Sequence, residues 1–236
     1  MQEAKRKFKV IGTKVESPGV TTLRLYYTSG EVPRYRAGQF ITVYMSDSTT
    51  SQGKAYSLSR IFIDSSFEIT IRAIGEFSNY LCSLVVGDHV IASDPYGFFY
   101  SESSDTPLVM IAAGVGVTPY RAMIYESIEK REVRPMYLIY SSRTEEDIIF
   151  KKELDALAKN NKNLNVLHFL TRQDKLGNGM NRGRIDPDKT LKKIKEVNIA
   201  EFLICGSIAF VRDMRNGLRA SGVGDEYIYT EAFFSH

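Results

Sequence analysis

Residues 108–120 read Leu-Val-Met-Ile-Ala-Ala-Gly-Val-Gly-Val-Thr-Pro-Tyr, an apolar run that empties into a glycine turn. The run Leu108–Ala112 has the length and character of a strand buried on both faces. Gly114 and Gly116 permit a tight turn, and Pro119 suits the first turn of a helix, where its missing N–H would be unpaired anyway. Tyr120, Met123, Ile124 and Ile128 then recur at helical spacing. Small residues at such a turn let a phosphate approach backbone N–H groups and the positive end of a helix dipole, which makes Gly114, Val115, Gly116 and Thr118 candidate nucleotide contacts. The full dinucleotide fingerprint wants a third glycine where this chain has Thr118-Pro119. A tight connection between strand and helix accounts for two glycines equally well.

Downstream, buried-looking runs at Tyr137–Tyr140, Leu164–Phe169 and Glu201–Cys205 alternate with helical faces. One face carries Phe150, Leu154, Leu157 and Ala158, another Val211, Met214 and Leu218. This alternation predicts a parallel sheet of the α/β type. Upstream the period is two: Leu23 and Leu25 bracket Arg24, Ile41 and Val43 bracket Thr42, and Phe67, Ile69 and Ile71 bracket Glu68 and Thr70. Turn signals at Ser17-Pro18-Gly19, Ser29-Gly30, Ala37-Gly38 and Gly87-Asp88 separate these runs, predicting an antiparallel barrel or sandwich with one helical turn around Ser78–Leu84. The polar stretch Ser101–Thr106 marks the change of class, so two domains are expected, 1–102 and 103–236.

With 236 residues, 43% apolar and 25% charged, the chain has the makeup of an ordinary globular protein. Its net charge of +3 makes no demand for a nucleic-acid partner. Two cysteines, Cys82 and Cys205, exclude a four-cysteine zinc or iron–sulfur site within the chain, and His89, His168 and His236 lack ligand spacing, so no metal is expected. The basic start of the chain has no apolar segment after it, and the apolar-rich stretch Leu108–Val117 is too short to span a bilayer. A cytoplasmic protein without a membrane span is the expectation.

Five motifs, taken in order, resemble those of the ferredoxin–NADP reductase superfamily: Lys54-Ala55-Tyr56-Ser57, Gly75-Glu76-Phe77-Ser78-Asn79-Tyr80-Leu81, Gly114-Val115-Gly116-Val117-Thr118-Pro119, Cys205-Gly206 and Glu231-Ala232-Phe233. The likeness extends to Ala37-Gly38-Gln39-Phe40 and Pro95-Tyr96-Gly97-Phe98, and so covers nearly the whole chain. It implies an N-terminal antiparallel Greek-key β-barrel flavin domain followed by a Rossmann-like parallel α/β nucleotide-binding domain. The implied enzyme is a flavoprotein reductase that passes electrons between NAD(P)H and FAD.

By the same resemblance, Tyr56 lies against the flavin ring and Ser57 beside the ring atom N5, which gains and loses hydride. Lys54 and Ala55 lead into that strand. Most relatives have Arg where this chain has Lys54, which supplies a point charge where Arg would grip a pyrophosphate bidentately. That departure leaves FMN or a loosely held flavin substrate open. Glu76, Phe77, Ser78 and Asn79 resemble the helix start that receives the FAD pyrophosphate, with Ser78 acting as a helix cap on the compatible structural reading. Thr70, Ile71 and Arg72 are implied to line the flavin, mostly through backbone atoms. Cys205 and Gly206 are implied beside the nicotinamide, with Glu231 positioned for proton relay and Phe233 against the ring; Phe234, Ser235 and His236 extend beyond that aromatic residue.

An NAD site commonly shows a carboxylate about 20 residues past the glycine turn, at the end of the second strand. Here that end reads Ser141-Ser142-Arg143, and Glu145, Glu146 and Asp147 look like first-turn helix acids, with Thr144 and Asp147 at capping-box spacing. Thr171-Arg172 resembles the Ser-Arg pair that holds the 2′-phosphate in NADP-dependent relatives, and Arg182 and Arg184 follow. NADP(H) is therefore favoured over NAD(H), with Ser142, Arg143, Thr171, Arg172 and Arg182 as its candidate contacts.

With no globin segment or ferredoxin cluster in the sequence, the expected acceptor is a separate redox protein such as ferredoxin or flavodoxin. Lys5, Arg6, Lys7, Arg34, Arg36 and Arg60 could present it with a basic face, though a charge run is commonly just solvated. Two alternatives stay open: an NAD(P)H:flavin reductase whose product is free reduced flavin, and a flavin-binding electron-transfer subunit of a larger complex.

Overall fold

The computed structural model describes residues 5–28, 35–45, 53–194 and 197–233. The expected turn at Ser29-Gly30, the candidate docking residue Arg34, and Phe234, Ser235 and His236 lie outside them. The chain forms two compact units, Met1–Tyr100 with Thr118–Glu126, and Ser101–Val117 with Ser127–His236.

In the first unit, β1 (Arg6–Ser17), β2 (Val20–Tyr27), β3 (Phe40–Tyr44), β4 (Lys54–Ile61), β5 (Ser66–Arg72) and β6 (His89–Ala92) close into an antiparallel barrel in the order β1-β2-β5-β4-β3-β6. Closure decides between barrel and sandwich, and removes exposed strand edges. The period-two residues build it: Leu23, Leu25, Ile41, Val43, Phe67, Ile69 and Ile71 are fully buried together with Phe8, Val10 and Leu58. Helix α1 (Glu76–Ser83) adds Phe77 and Leu81 to this core, followed by Leu84. Residues 118–126 cover polar side chains of the barrel, and Arg121 reaches Glu68 at 2.5 Å and the Ser59 carbonyl at 3.4 Å.

The second unit contains β7 (Leu108–Ala113), β8 (Met136–Ser142), β9 (Leu164–Leu170), β10 (Met180–Arg182), β11 (Glu201–Ser207) and β12 (Ile228–Phe233), all parallel, in the order β10-β9-β8-β7-β11-β12. Helices α2 (Thr118–Glu129), α3 (Lys151–Asn160), α4 (Pro187–Leu191) and α5 (Ile208–Ala220) belong to the connections. Val211, Met214 and Leu218 of α5 pack with Val109, Ile111, Phe202 and Ile204 of the sheet. The strand order reverses between β7 and β11, and such a switch point opens a ligand crevice at the carboxyl ends of the strands.

Two expectations are corrected. Thr144 does not cap a helix: its N–H and hydroxyl bond the Asp147 carboxylate in an isolated turn, and α3 starts at Lys151, after Phe150 in the left-handed region at φ 61°. Ile148, Ile149 and Phe150 are buried, and placing all three consecutively in the core interrupts a helix that would carry one of them to the surface. The second correction adds β10 and β12, which the sequence reading passed over. Among the described residues no helix is long and apolar enough to cross a membrane.

Candidate active site

Strand β4 lays out the first motif in alternation, Lys54 and Tyr56 on one side and Ala55 and Ser57 on the other. Lys54 and Ala55 are exposed, and the Lys54 ammonium lies 5.8 Å from the centre of the Phe77 ring at the start of α1. Tyr56 packs on the barrel core near Cys82, and burial pushes its phenol pKa well up. Ser57 is 3% exposed, and its Oγ has no hydrogen-bond partner among the described residues. An unsatisfied buried hydroxyl costs about 1–3 kcal/mol.

The start of α1 uses its side chains internally. Ser78 Oγ accepts from the N–H groups of Ile74 and Gly75 at 2.9 and 3.0 Å and donates to the Gly75 carbonyl. Asn79 commits both its backbone N–H and its side-chain amide to that same carbonyl. The Ser78 hydroxyl and the Asn79 N–H are therefore already taken, leaving the N–H groups of Glu76, Phe77 and Ser78 as those for which the helix supplies no internal acceptor. In β5, Thr70 Oγ1 is bound to Thr22 and Ser59 hydroxyls at 2.8 and 2.9 Å, and Ile71 is in the core. Both side chains are thus engaged within the barrel unit, and Arg72 is half-buried.

In the second unit the glycine turn is a single tight helical turn, Gly114–Val117, leading into α2. Gly114 stands at φ 53°, where a side chain is strained. Gly116 is needed for a different reason: a Cβ there would meet the Cys205 carbonyl carbon at 2.6 Å and the Gly206 nitrogen at 2.9 Å. The turn is thus seated directly on the end of β11. Thr118, at 2% exposure, has its side chain buried, and Val115 is half-exposed. Parallel pairing sets Cys205 opposite Glu231, Gly206 opposite Ala232 and Ser207 opposite Phe233. Burial first, and then the Glu231 charge, hold the Cys205 thiol far above its ordinary range, so it stays protonated. Glu231 and Phe233 are both partly exposed.

The residues expected to read the 2′-phosphate converge. The Thr171 N–H and hydroxyl both donate to the Ser142 carbonyl, at 3.0 and 3.2 Å, and the Arg172 N–H donates to the Arg143 carbonyl at 2.8 Å. Ser142 is buried with its Oγ unpartnered among the described residues. Arg143 and Arg172 are exposed. Arg182 departs from the expectation, because its guanidinium is bonded to the Asp174 carboxylate and carbonyl. Among the candidate docking residues, Arg6 is likewise engaged, with Asp94 and the Tyr27 hydroxyl, while Arg36 stacks on Tyr100 and Arg60 on Tyr125. Tyr140 is a residue the sequence reading took only as strand; its hydroxyl reaches the glycine turn, and a polar-tipped aromatic at the end of a buried strand was the available signal.

A family model described as the oxidoreductase NAD-binding domain matches residues 110–216. The flavohemoprotein of Bacillus subtilis is 30% identical over 236 residues, 97% of this chain and 59% of that protein. The ferredoxin reductase component of the 3-ketosteroid-9-alpha-monooxygenase of Mycolicibacterium smegmatis is 34% identical over 210 residues, 86% of this chain and 56% of that protein. The crystal structure of the flavohem-like FAD/NAD binding domain of nitric oxide dioxygenase from Vibrio cholerae superposes with a TM-score of 0.87 at 25% identity, covering 98% of this chain and 99% of that one.

Over nearly its whole length the chain is similar to these proteins of the ferredoxin–NADP reductase superfamily. It spans under two thirds of the length of the curated relatives it matches, at 59% and 56%. For the flavin and nicotinamide nucleotide of this superfamily the donor sets fit: Ser57 Oγ in the barrel unit and Ser142 Oγ at the carboxyl end of β8 are each buried hydroxyls that folding leaves without a partner among the described residues.

Proposed function

We propose that this chain is an NAD(P)H-dependent flavoprotein reductase that passes electrons through FAD to a separate one-electron acceptor of the ferredoxin or flavodoxin kind, with NADPH preferred. Residues 1–102 serve as the flavin domain and 103–236 as the nucleotide domain. The observation that carries the reading is Ser57, whose orphaned hydroxyl lies inside a motif that this superfamily uses beside the flavin ring.

FAD, when bound, supplies the exchange between the two-electron chemistry of a nicotinamide and the one-electron chemistry of a protein acceptor. The chain's own work is placement and proton control. Lys54 and the first N–H groups of α1 hold the pyrophosphate by charge and by hydrogen bonds. Tyr56 offers a ring face, and Ser57 donates or accepts at the ring edge while staying small enough to leave room for the nicotinamide. Cys205 acts by orientation, since a neutral buried thiol is a poor nucleophile. Glu231, next to it on β12, accepts or returns a proton. Arg143 and Arg172 offer exposed guanidinium groups to a 2′-phosphate.

Lys54 favours a second reading. An exposed ammonium near Phe77, with Ser78 Oγ engaged inside its own helix, gives the pyrophosphate fewer directional bonds than an arginine would, which suits a flavin bound as a substrate and released reduced.

The visible spectrum of the purified protein, followed by anaerobic NADPH addition, tests both. Stoichiometric yellow FAD bleached by NADPH is expected. Colourless protein that consumes added FMN with NADPH supports the second reading, and a protein that neither holds nor reduces flavin overturns both.

A further inference from the structure

We infer that Tyr140 is a positioning residue for the nicotinamide nucleotide, holding the glycine turn and the loop after β8 in one arrangement through its phenol hydroxyl. The inference rests on the reading of Gly114–Thr118 as the nucleotide turn. Tyr140 is fully buried in β8, in register with Ala112 of β7, two residues before the turn. Its hydroxyl donates to the Gly114 carbonyl at 2.9 Å and accepts from the Ile149 N–H at 3.2 Å.

Both bonds bear on places where a nucleotide would be read. Gly114 is at φ 53°, a conformation that glycine enters and leaves with little cost, so the residue itself does not fix its peptide plane. Pinning the Gly114 carbonyl toward Tyr140 turns the N–H of Val115 to the opposite side of the same planar trans peptide. The orientation of a donor in the turn is thereby set by a side chain on the neighbouring strand. At the other end, Ile149 closes the loop 143–150, whose first residue Arg143 is hydrogen-bonded through its carbonyl to Arg172. One hydroxyl therefore links the pyrophosphate turn to the segment carrying the candidate 2′-phosphate contacts. The ring is itself held in place: His168 lies against it with ring centres 6.0 Å apart, and Asp155 bonds the His168 Nε2 at 3.1 Å.

The test is Tyr140→Phe, which removes the hydroxyl and keeps the ring. Titration calorimetry of NADP⁺ into flavin-loaded protein should show the dissociation constant raised about 3- to 10-fold, the size of one lost hydrogen bond. KM for NADPH should rise in parallel, with flavin content and the limiting rate of flavin reduction unchanged. Gly114→Ala, which strains the acceptor side of the same bond, should weaken binding as well, and the double variant should fall short of the product of the two effects. Wild-type binding matched by both single variants, or two effects that multiply, overturns the inference on Tyr140. A wild-type protein that binds neither NADP⁺ nor NAD⁺ overturns the reading of the turn, and the inference with it. A Tyr140→Phe variant that loses flavin or melts early would show that the hydroxyl serves the fold as a whole, and overturns the inference.

Discussion

Gly116 rests on Cys205: a methyl group on Gly116 would press into the Cys205 carbonyl, with the carbon atoms 2.6 Å apart. The two glycines of the turn thus have separate tasks. Gly114 supplies a left-handed backbone conformation, and Gly116 supplies absence of bulk, bringing the turn onto the end of β11 where Cys205 and Gly206 stand. Since β7 and β11 flank the switch point of the sheet, this contact lies at that switch point.

Gly116→Ala should consequently destabilise the second unit by about 1–3 kcal/mol, because backbone atoms rather than a flexible side chain oppose the new methyl. Nucleotide affinity should fall together with it. Urea denaturation followed by far-UV circular dichroism measures the first effect, and an unchanged midpoint would show that the turn lifts off β11 freely.

Much of this architecture is legible in the sequence, and the misses have physical causes. Alternation in 7–100 and the buried runs from Leu108 onward reveal both classes of sheet, because burial on one face or on both leaves a period. β10 has three residues, too few for any period, and β12 exposes Tyr229 and Thr230 beside a single buried Ile228, so neither carries a hydrophobic signature. Thr144–Asp147 has capping-box spacing, yet a carboxylate that bonds the Thr144 N–H closes a free-standing turn equally well. Which side chains folding leaves unpartnered is not legible at all: Ser57 and Ser78 look alike in sequence, but among the described residues one hydroxyl has no partner and the other is spent on its own helix.

The pH dependence of stability should report on His168. Burial holds its pKa below the ordinary 6.5, outweighing the upward pull of Asp155, with Lys151 and Glu145 also acting on it and Tyr140 against its ring. The unfolded imidazole therefore takes up a proton at higher pH than the folded one, and acid favours unfolding in that interval. The contribution is complete above pH 6.5 and is lost as pH falls through the folded value. Melting temperatures between pH 8 and 5 should decline on the acid side, and His168→Gln should flatten that part of the curve; an identical slope would assign the acid sensitivity elsewhere.

Arg121 and Glu68 form a buried ion pair, with side chains 6% and 16% exposed. Replacing Arg121 with Met strands the carboxylate and should cost about 3–5 kcal/mol, whereas the double variant Arg121→Met, Glu68→Leu should recover most of it. Denaturant midpoints of the wild type and three variants make the comparison. Additive losses would mean that the pair contributes through packing alone.

Nucleotide choice turns on Arg172. If its exposed guanidinium, next to Arg143, takes the 2′-phosphate, Arg172→Ala should raise KM for NADPH by roughly 10- to 100-fold, the effect of losing about 1.5–3 kcal/mol of charged hydrogen bonds. KM for NADH should stay close to its wild-type value. Steady-state kinetics with both nucleotides separates the outcomes, and equal effects on the two would move phosphate recognition to other residues.

Ser57→Ala separates a structural serine from a working one. In the flavin-free protein the hydroxyl is buried without a partner among the described residues, so its removal deletes an unsatisfied polar group and should leave the melting temperature unchanged or raise it slightly. A serine kept for packing or internal hydrogen bonding would instead lower stability on truncation. With flavin bound, the same substitution removes a hydrogen bond at the ring edge, and reduction by NADPH in stopped flow should slow by about 10²-fold, within the range of positioned proton-transfer groups. Flavin content should remain stoichiometric, since Tyr56, Lys54 and the start of α1 are untouched. Cys205→Ala provides the counterpart in the second unit: it should slow the same step by misplacing the nicotinamide, and Cys205→Ser, which keeps size and hydrogen bonding, should restore most of the rate. Wild-type reduction rates in both alanine variants, with nucleotide binding intact, would remove Ser57 and Cys205 from the reaction.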